Sequence, residues 1–270
     1  MDLVFVLIFN MGTAGVAYAT IISQFLSAIL VLITLMRTDS AFKLIPKKVS
    51  FTWSVIGRIV NIGLPTSVQQ GITAFSNVFV QSYINVFGSA AMAGWSSYAK
   101  IDQFNLLPMQ AVAFACTTFV GQNWGAGLYD RAKKSLRTAM RMSFVMTATL
   151  IPFLMLFSRQ LIYMFNQEPA VLEYGSLMIR LMAPFYLLSC INQIYVGALR
   201  GTGNSRVPMF IMLSSFVAFR QVYLIICSQL LPGNIIPIIL GYPAGWFIAS
   251  LALFLYYKFG NWEEKYKITA

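Results

Sequence analysis

Residues 14–36 read AGVAYATIISQFLSAILVLITLM, twenty-three residues without a charge, closed by Arg37. A helix needs about 20 predominantly apolar residues to cross a bilayer. Further charge-free runs follow at 59–87, 103–129, 142–158, 181–199 and 221–257. The last is interrupted by Pro232, Gly233 and Asn234, so its first part joins 206–219 as one helix that contains Arg220. Across the 270 residues, 58% are hydrophobic and only 10% charged. Soluble domains carry about 25% charge, so this composition suits lipid rather than water. We read an all-α integral membrane protein with seven transmembrane helices near 14–36, 56–87, 89–121, 138–163, 173–198, 206–231 and 235–257. The apolar stretch 3–9 is too short to span and reads as a helix stub.

The chain has no His, which excludes His-based metal sites and Ser-His-Asp or Cys-His nucleophiles. Cys116, Cys190 and Cys227 lie too far apart for a zinc cluster and read as small packing residues. No Gly-Lys dipeptide occurs, so the chain holds no Walker A loop. Catalytic residues, a metal and a cofactor are therefore not expected.

Fifteen of the nineteen Lys and Arg fall after spans one, three, five and seven, which places that side and the C-terminus in the cytoplasm. The net charge of +11 is mostly topology of a multi-pass cell-membrane protein. The basic clusters lack an aromatic stacking platform, so nucleic acid is not an expected partner. Trp53, Trp95, Trp124 and Trp262 fall near span ends, as an interfacial belt would.

Ala14-Gly15-Val16-Ala17-Tyr18-Ala19-Thr20 and Ala244-Gly245-Trp246-Phe247-Ile248-Ala249-Ser250 share the pattern A-G-x-x-x-A-[T/S] at an offset of 230 residues. Parallel repeats of this kind build two-lobed transporters. On that reading span one ends one lobe and spans two to seven form a second. The domains are then 1–37 (the end of an N-terminal lobe), a cytoplasmic linker 38–52, a six-helix lobe 53–258 and a cytoplasmic tail 259–270.

Span two carries Gly63-Leu64-Pro65, where Pro65 removes a helix hydrogen bond and introduces a kink. Gln69, Thr73, Asn77, Gln81 and Asn85 follow at intervals of four, one polar stripe along the helix. The stripe either lines a hydrated substrate cavity or supplies hydrogen bonds between helices. Span three buries Lys100 and Asp102, which point to different faces. Intramembrane charges are costly and mark candidate sites. Asp102 is expected to face Arg180 or Arg220, either as an ion-coupling carboxylate or as half of a structural ion pair. Gly197-Ala198-Leu199-Arg200-Gly201-Thr202-Gly203-Asn204 reads as a tight cytoplasmic turn.

Four segments, in order, make the chain resemble the multidrug and toxic compound extrusion (MATE) transporters. They are 12–24 (GTAGVAYATIISQ), Gly63-Leu64-Pro65 with Gln69-Gln70, 120–127 (VGQNWGAG) and Leu199-Arg200-Gly201-Thr202-Gly203. The resemblance implies twelve helices in two lobes around a V-shaped cavity. It also implies export of small amphipathic or cationic substrates in exchange for Na⁺ or H⁺. The match begins near the end of the family's fifth helix, so the chain is expected to be a C-terminal fragment whose partners are the lipid bilayer and a missing N-lobe. One subgroup of the family places a cation-binding carboxylate on the helix matching 59–87, where this chain has Thr73 and no acid. In the other, DinF-like subgroup the key Asp is on the first helix, outside this chain, and the polar stripe makes that subgroup the better match. A self-contained seven-helix receptor or signalling protein is the alternative, and an enzyme is disfavoured by the missing His and carboxylate clusters.

Overall fold

The structure is a computed structural model that describes residues 4–39 and 43–263. The expected tail residues Lys265 and Lys267, and the first residue of the stub at 3–9, lie outside the described residues. The chain divides into two compact units, 1–56 and 57–270.

In the first unit, a short π-helical segment Val4–Ile8 precedes α1, Gly12–Arg37. Its 26 residues give a length of about 39 Å, more than a hydrocarbon core needs. Only Gly15 and Ala19 are buried along α1. A helix apolar all round and exposed all round is made for lipid or for another helix. A 3₁₀ turn, Pro46–Lys48, follows.

The helix α2 spans Trp53–Asn85 and runs unbroken through Pro65. Then come α3 (Ser89–Gly125), α4 (Tyr129–Leu156) and the short α5 (Ser158–Tyr163). The helix α6 (Pro169–Met182) continues through a 3₁₀ turn into α7 (Tyr186–Gly201). The next crossing joins α8 (Arg206–Leu213), a π-helical segment Ser214–Phe219 and α9 (Arg220–Leu230). Last is α10, Ile235–Phe259. Six of these crossings are long and apolar enough to span a membrane: 12–37, 89–125, 129–156, 169–201, 206–230 and 235–259. The seventh expected span, α2, is long enough at 33 residues but is not among the six, because its polar stripe lowers its hydropathy.

In the second unit α3 is the central strut, packed on α4, α6 and α7. The α3–α7 crossing is close because α7 carries Gly197 where the helices meet. A Cβ there would stand 2.8 Å from the Ala113 carbonyl oxygen and 2.9 Å from the Thr117 hydroxyl. Small residues at helix contacts admit this approach in membranes. The turn expected at 197–204 is shorter: 197–201 are the last residues of α7, and the chain turns only after Gly201, with Gly203 at a φ of 90° that L side chains rarely adopt.

Pro65 has a visible consequence. It cannot donate to the carbonyl of Asn61, four residues earlier. The Ser205 hydroxyl donates to that carbonyl at 3.2 Å instead, and Arg206 Nη2 donates to the Asn61 side-chain oxygen at 2.7 Å. The turn between α7 and α8 thus repairs the backbone defect in α2, as helix-breaking prolines in membrane helices require.

Candidate functional site

A cavity of about 480 Å³ opens within the second unit. Gln69, Thr73, Asn77 and Gln81 of α2 line it, so most of the expected stripe faces one space. Asn85, a turn further on, is exposed and does not line it. Opposite stand Trp95, Tyr98 and Asp102 of α3, Asn192 and Gln193 of α7, and Tyr242 and Trp246 of α10.

The two readings of the stripe each claim some of its residues. Gln69 accepts from Arg200 Nη2 at 2.8 Å, and Asn77 accepts from Arg220 Nη2 at 2.8 Å, so both tie α2 to its neighbours. Thr73 behaves differently: its hydroxyl is buried with no hydrogen-bond partner among the described residues. A buried hydroxyl left unpaired costs about 1–3 kcal/mol, and neither reading of the stripe accounts for it.

Asp102 lines the cavity but pairs with neither arginine. The expected ion pair is corrected: among the described residues, salt bridges join Lys43 to Asp39 and Lys133 to Glu263. The Tyr186 hydroxyl donates to Asp102 Oδ1 at 2.5 Å, and the Tyr98 and Tyr186 hydroxyls lie 3.2 Å apart. Arg180 is exposed and donates through Nε to Ser158 at 2.9 Å. Lys100, also exposed, sits over the Phe165 ring at 5.2 Å. The spacing of two between Lys100 and Asp102 separates them as expected.

Arg220 is 1% exposed and lines the same cavity. Its Nη2 donates to Ser76 Oγ at 2.9 Å as well as to Asn77, and its guanidinium lies 4.7 Å from the Tyr242 ring centroid. Neutral acceptors and an aromatic face thus replace the carboxylate expected beside it. The π-helical segment 214–219 ends at this arginine, and the widened turn leaves the Phe216 carbonyl to accept from the Ser76 hydroxyl at 3.3 Å. Such bulges recur at functional sites.

Sequence reasoning missed the aromatic wall. Trp95 packs on Tyr98 and on Tyr242 at 5.3 and 5.4 Å between ring centroids, and Tyr186 packs on Trp246 at 5.7 Å. The spacings Tyr98–Asp102 and Tyr242–Trp246, each of four residues, put both members of a pair on one helix face. That was the available signal.

The described residues contain no group of three His, Cys, Asp or Glu able to hold a metal ion. Comparison with known proteins then decides the family. The MatE family model matches residues 65–225. The chain belongs to the MatE family. It is 27% identical to the probable multidrug resistance protein NorM of Thermotoga maritima over 268 residues, 96% of this chain and 56% of that protein. It is 25% identical to the probable multidrug resistance protein YoeA of Bacillus subtilis, over 95% of this chain and 56% of that one. The chain therefore spans just over half the length of these relatives. Among solved structures, a MOP superfamily transporter from Pyrococcus furiosus superposes with a TM-score of 0.90 at 19% identity, over 99% of this chain and 60% of that one. A MATE structure in complex with MaL6 superposes with a TM-score of 0.87 at 20% identity, over 95% of this chain and 58% of that one. The all-helical membrane fold of the MATE transporters is thereby shown, and membership in this transporter family does not favour the receptor alternative.

Proposed function

We propose that this chain takes part in secondary multidrug efflux across the cell membrane. On this reading α2 is a seventh span, residues 53–258 form one six-helix lobe, and the C-terminus is cytoplasmic. A second lobe faces the cavity. Small amphipathic or cationic substrates enter a space of about 480 Å³, within the usual range of roughly 300–1,000 Å³ for ligand sites. Export is driven by exchange for Na⁺ or H⁺, because the chain holds no Walker A loop to spend nucleotide energy.

The observation that carries this reading is Asp102. It faces the cavity, receives a hydroxyl donor and has no cationic side chain beside it among the described residues. A carboxylate so placed gains by taking up a proton or a cation. Substrate cation and coupling cation then compete for one charge, which is the linkage that exchange requires.

The test is ethidium binding to the purified 270-residue chain in nanodiscs, followed by fluorescence. Saturable binding that weakens about tenfold with Na⁺ or with acid, and an Asp102→Asn variant that loses this competition, support the proposal. Saturable binding indifferent to both ions refutes coupling at Asp102. Absence of saturable binding refutes a substrate site formed by this chain's cavity by itself.

A further inference from the structure

On the face of α7 and α10 turned away from the cavity lies a second, apolar groove. The cavity is lined by Asn192 and Gln193 of α7 and Trp246 of α10, whereas Ile191 and Tyr195 of α7 and Phe247 and Phe254 of α10 line the groove. Its other wall is α4, through Met140 and Phe144, and its volume is about 320 Å³. A neighbouring recess of about 310 Å³ shares Met140, Phe144 and Tyr195 with it and adds Arg137 and Arg141. The two are one channel, apolar along its length and basic at its mouth.

The arginines at that mouth are available. On the first turns of α4, Lys133 is bonded to Glu263 at 2.6 Å and Arg131 lies over the Phe119 ring at 5.4 Å. Arg137 and Arg141 are exposed and have no acidic partner among the described residues. They are four apart, hence stacked on one face of the helix. Behind the mouth stands an aromatic cluster: Tyr195 packs on Tyr257 at 5.1 Å, Tyr257 on Trp262 at 5.0 Å and Trp262 on Trp124 at 5.4 Å. Trp124 and Trp262 are buried, so the cluster braces the mouth from inside the protein. From Arg137 to Phe144 the groove runs about 10 Å along α4, from the arginines toward the middle of a helix long and apolar enough to span a membrane.

We propose that this channel is a binding site for one anionic phospholipid, its phosphate held between Arg137 and Arg141 and an acyl chain laid along Phe144, Ile191, Phe247 and Phe254. The two halves of the site demand the two halves of the ligand. A free phosphate leaves the groove empty, and a zwitterionic lipid brings its own cation beside two guanidiniums that have no acidic partner among the described residues. Basic pockets between helices on the cytoplasmic side of membrane proteins recognise acidic headgroups in this manner. The site is independent of transport and of Asp102.

The experiment is native mass spectrometry of the delipidated 270-residue chain, titrated with dioleoyl phosphatidylglycerol, dioleoyl phosphatidylcholine or glycerol phosphate. We expect one phosphatidylglycerol adduct, retained about tenfold better than phosphatidylcholine, and no glycerol phosphate adduct. Arg137→Gln with Arg141→Gln brings the two lipids within about twofold, Arg137→Lys with Arg141→Lys restores much of the difference, and Ile191→Trp weakens phosphatidylglycerol by filling the groove. Arg131→Gln with Lys134→Gln, outside the channel, leaves the preference in place. Equal retention of both lipids by the unaltered chain overturns the proposal. So does glycerol phosphate binding as well as the lipid, or an equal loss from the Arg131/Lys134 variant, which would mean a diffuse basic surface.

Discussion

Replacing Gly197 by Ala tests the packing argument at its tightest point. The added methyl meets the Ala113 carbonyl oxygen at 2.8 Å and the Thr117 hydroxyl at 2.9 Å, where ordinary contact begins at 3.4 Å. Helices α3 and α7 must therefore part by about 0.6 Å. Neither obstacle can swing aside. One is backbone, and the Thr117 hydroxyl is itself bonded to the Ala113 carbonyl at 2.9 Å. Overpacking of this kind costs about 1–3 kcal/mol, here near the upper end, and the helix preference of Ala over Gly returns about 1 kcal/mol. The net loss is about 1–2 kcal/mol, or a melting temperature lower by about 2–8 °C in a body of this size. Gly71→Ala is the control, since a Cβ there meets nothing within 4 Å. That variant should gain about 0.5–1 kcal/mol from the same preference. Thermal unfolding of both purified variants in detergent, followed by tryptophan fluorescence, reads the difference. An unchanged or raised midpoint for Gly197→Ala, or an equal fall for Gly71→Ala, refutes the close crossing.

Three further outcomes are expected. Ser205→Ala should cost about 1 kcal/mol by stranding the Asn61 carbonyl, and the cost should vanish alongside Pro65→Ala, which restores the missing amide; equal losses in both backgrounds would remove Ser205 from that role. Tyr186→Phe and Asp102→Asn should show a coupling energy of about 1 kcal/mol in a double-mutant cycle of unfolding, and additive effects would deny that the short contact contributes. Cys227, half-buried, should react with N-ethylmaleimide in the folded chain while buried Cys116 and Cys190 react only after unfolding; early modification of Cys190, seen by peptide mass, would contradict its place beside Met109 and Thr147.

Much of the site was legible because helical geometry is local. A stripe at intervals of four must share a face, and Gln69, Thr73, Asn77 and Gln81 do line one cavity. Pro65 announced a missing hydrogen bond, though nothing in the sequence near it named Ser205, 140 residues on, as the donor that compensates. The pairing of Asp102 failed for a comparable reason. Charge alone suggested an arginine, but which side chain reaches the carboxylate depends on how α3, α6, α7 and α9 are arranged. The arrangement delivers the Tyr186 hydroxyl to Asp102, Ser158 to Arg180 and the Tyr242 ring to Arg220.

The sequence by itself determined the solvent, the helical class and the periodic face of α2, because the cost of a charge or an open backbone in lipid is paid residue by residue. It did not reveal Gly197 as a point of close helix contact, since the glycines at 197–203 read as a turn whereas α7 continues to Gly201. Only the tertiary structure decided which helices meet there, that Asp102 and Arg220 share one cavity without pairing, and that Arg137 and Arg141 stand at the mouth of an apolar groove. Those facts depend on the distances and rotations between helices far apart in the chain, which side-chain packing sets and no local pattern encodes.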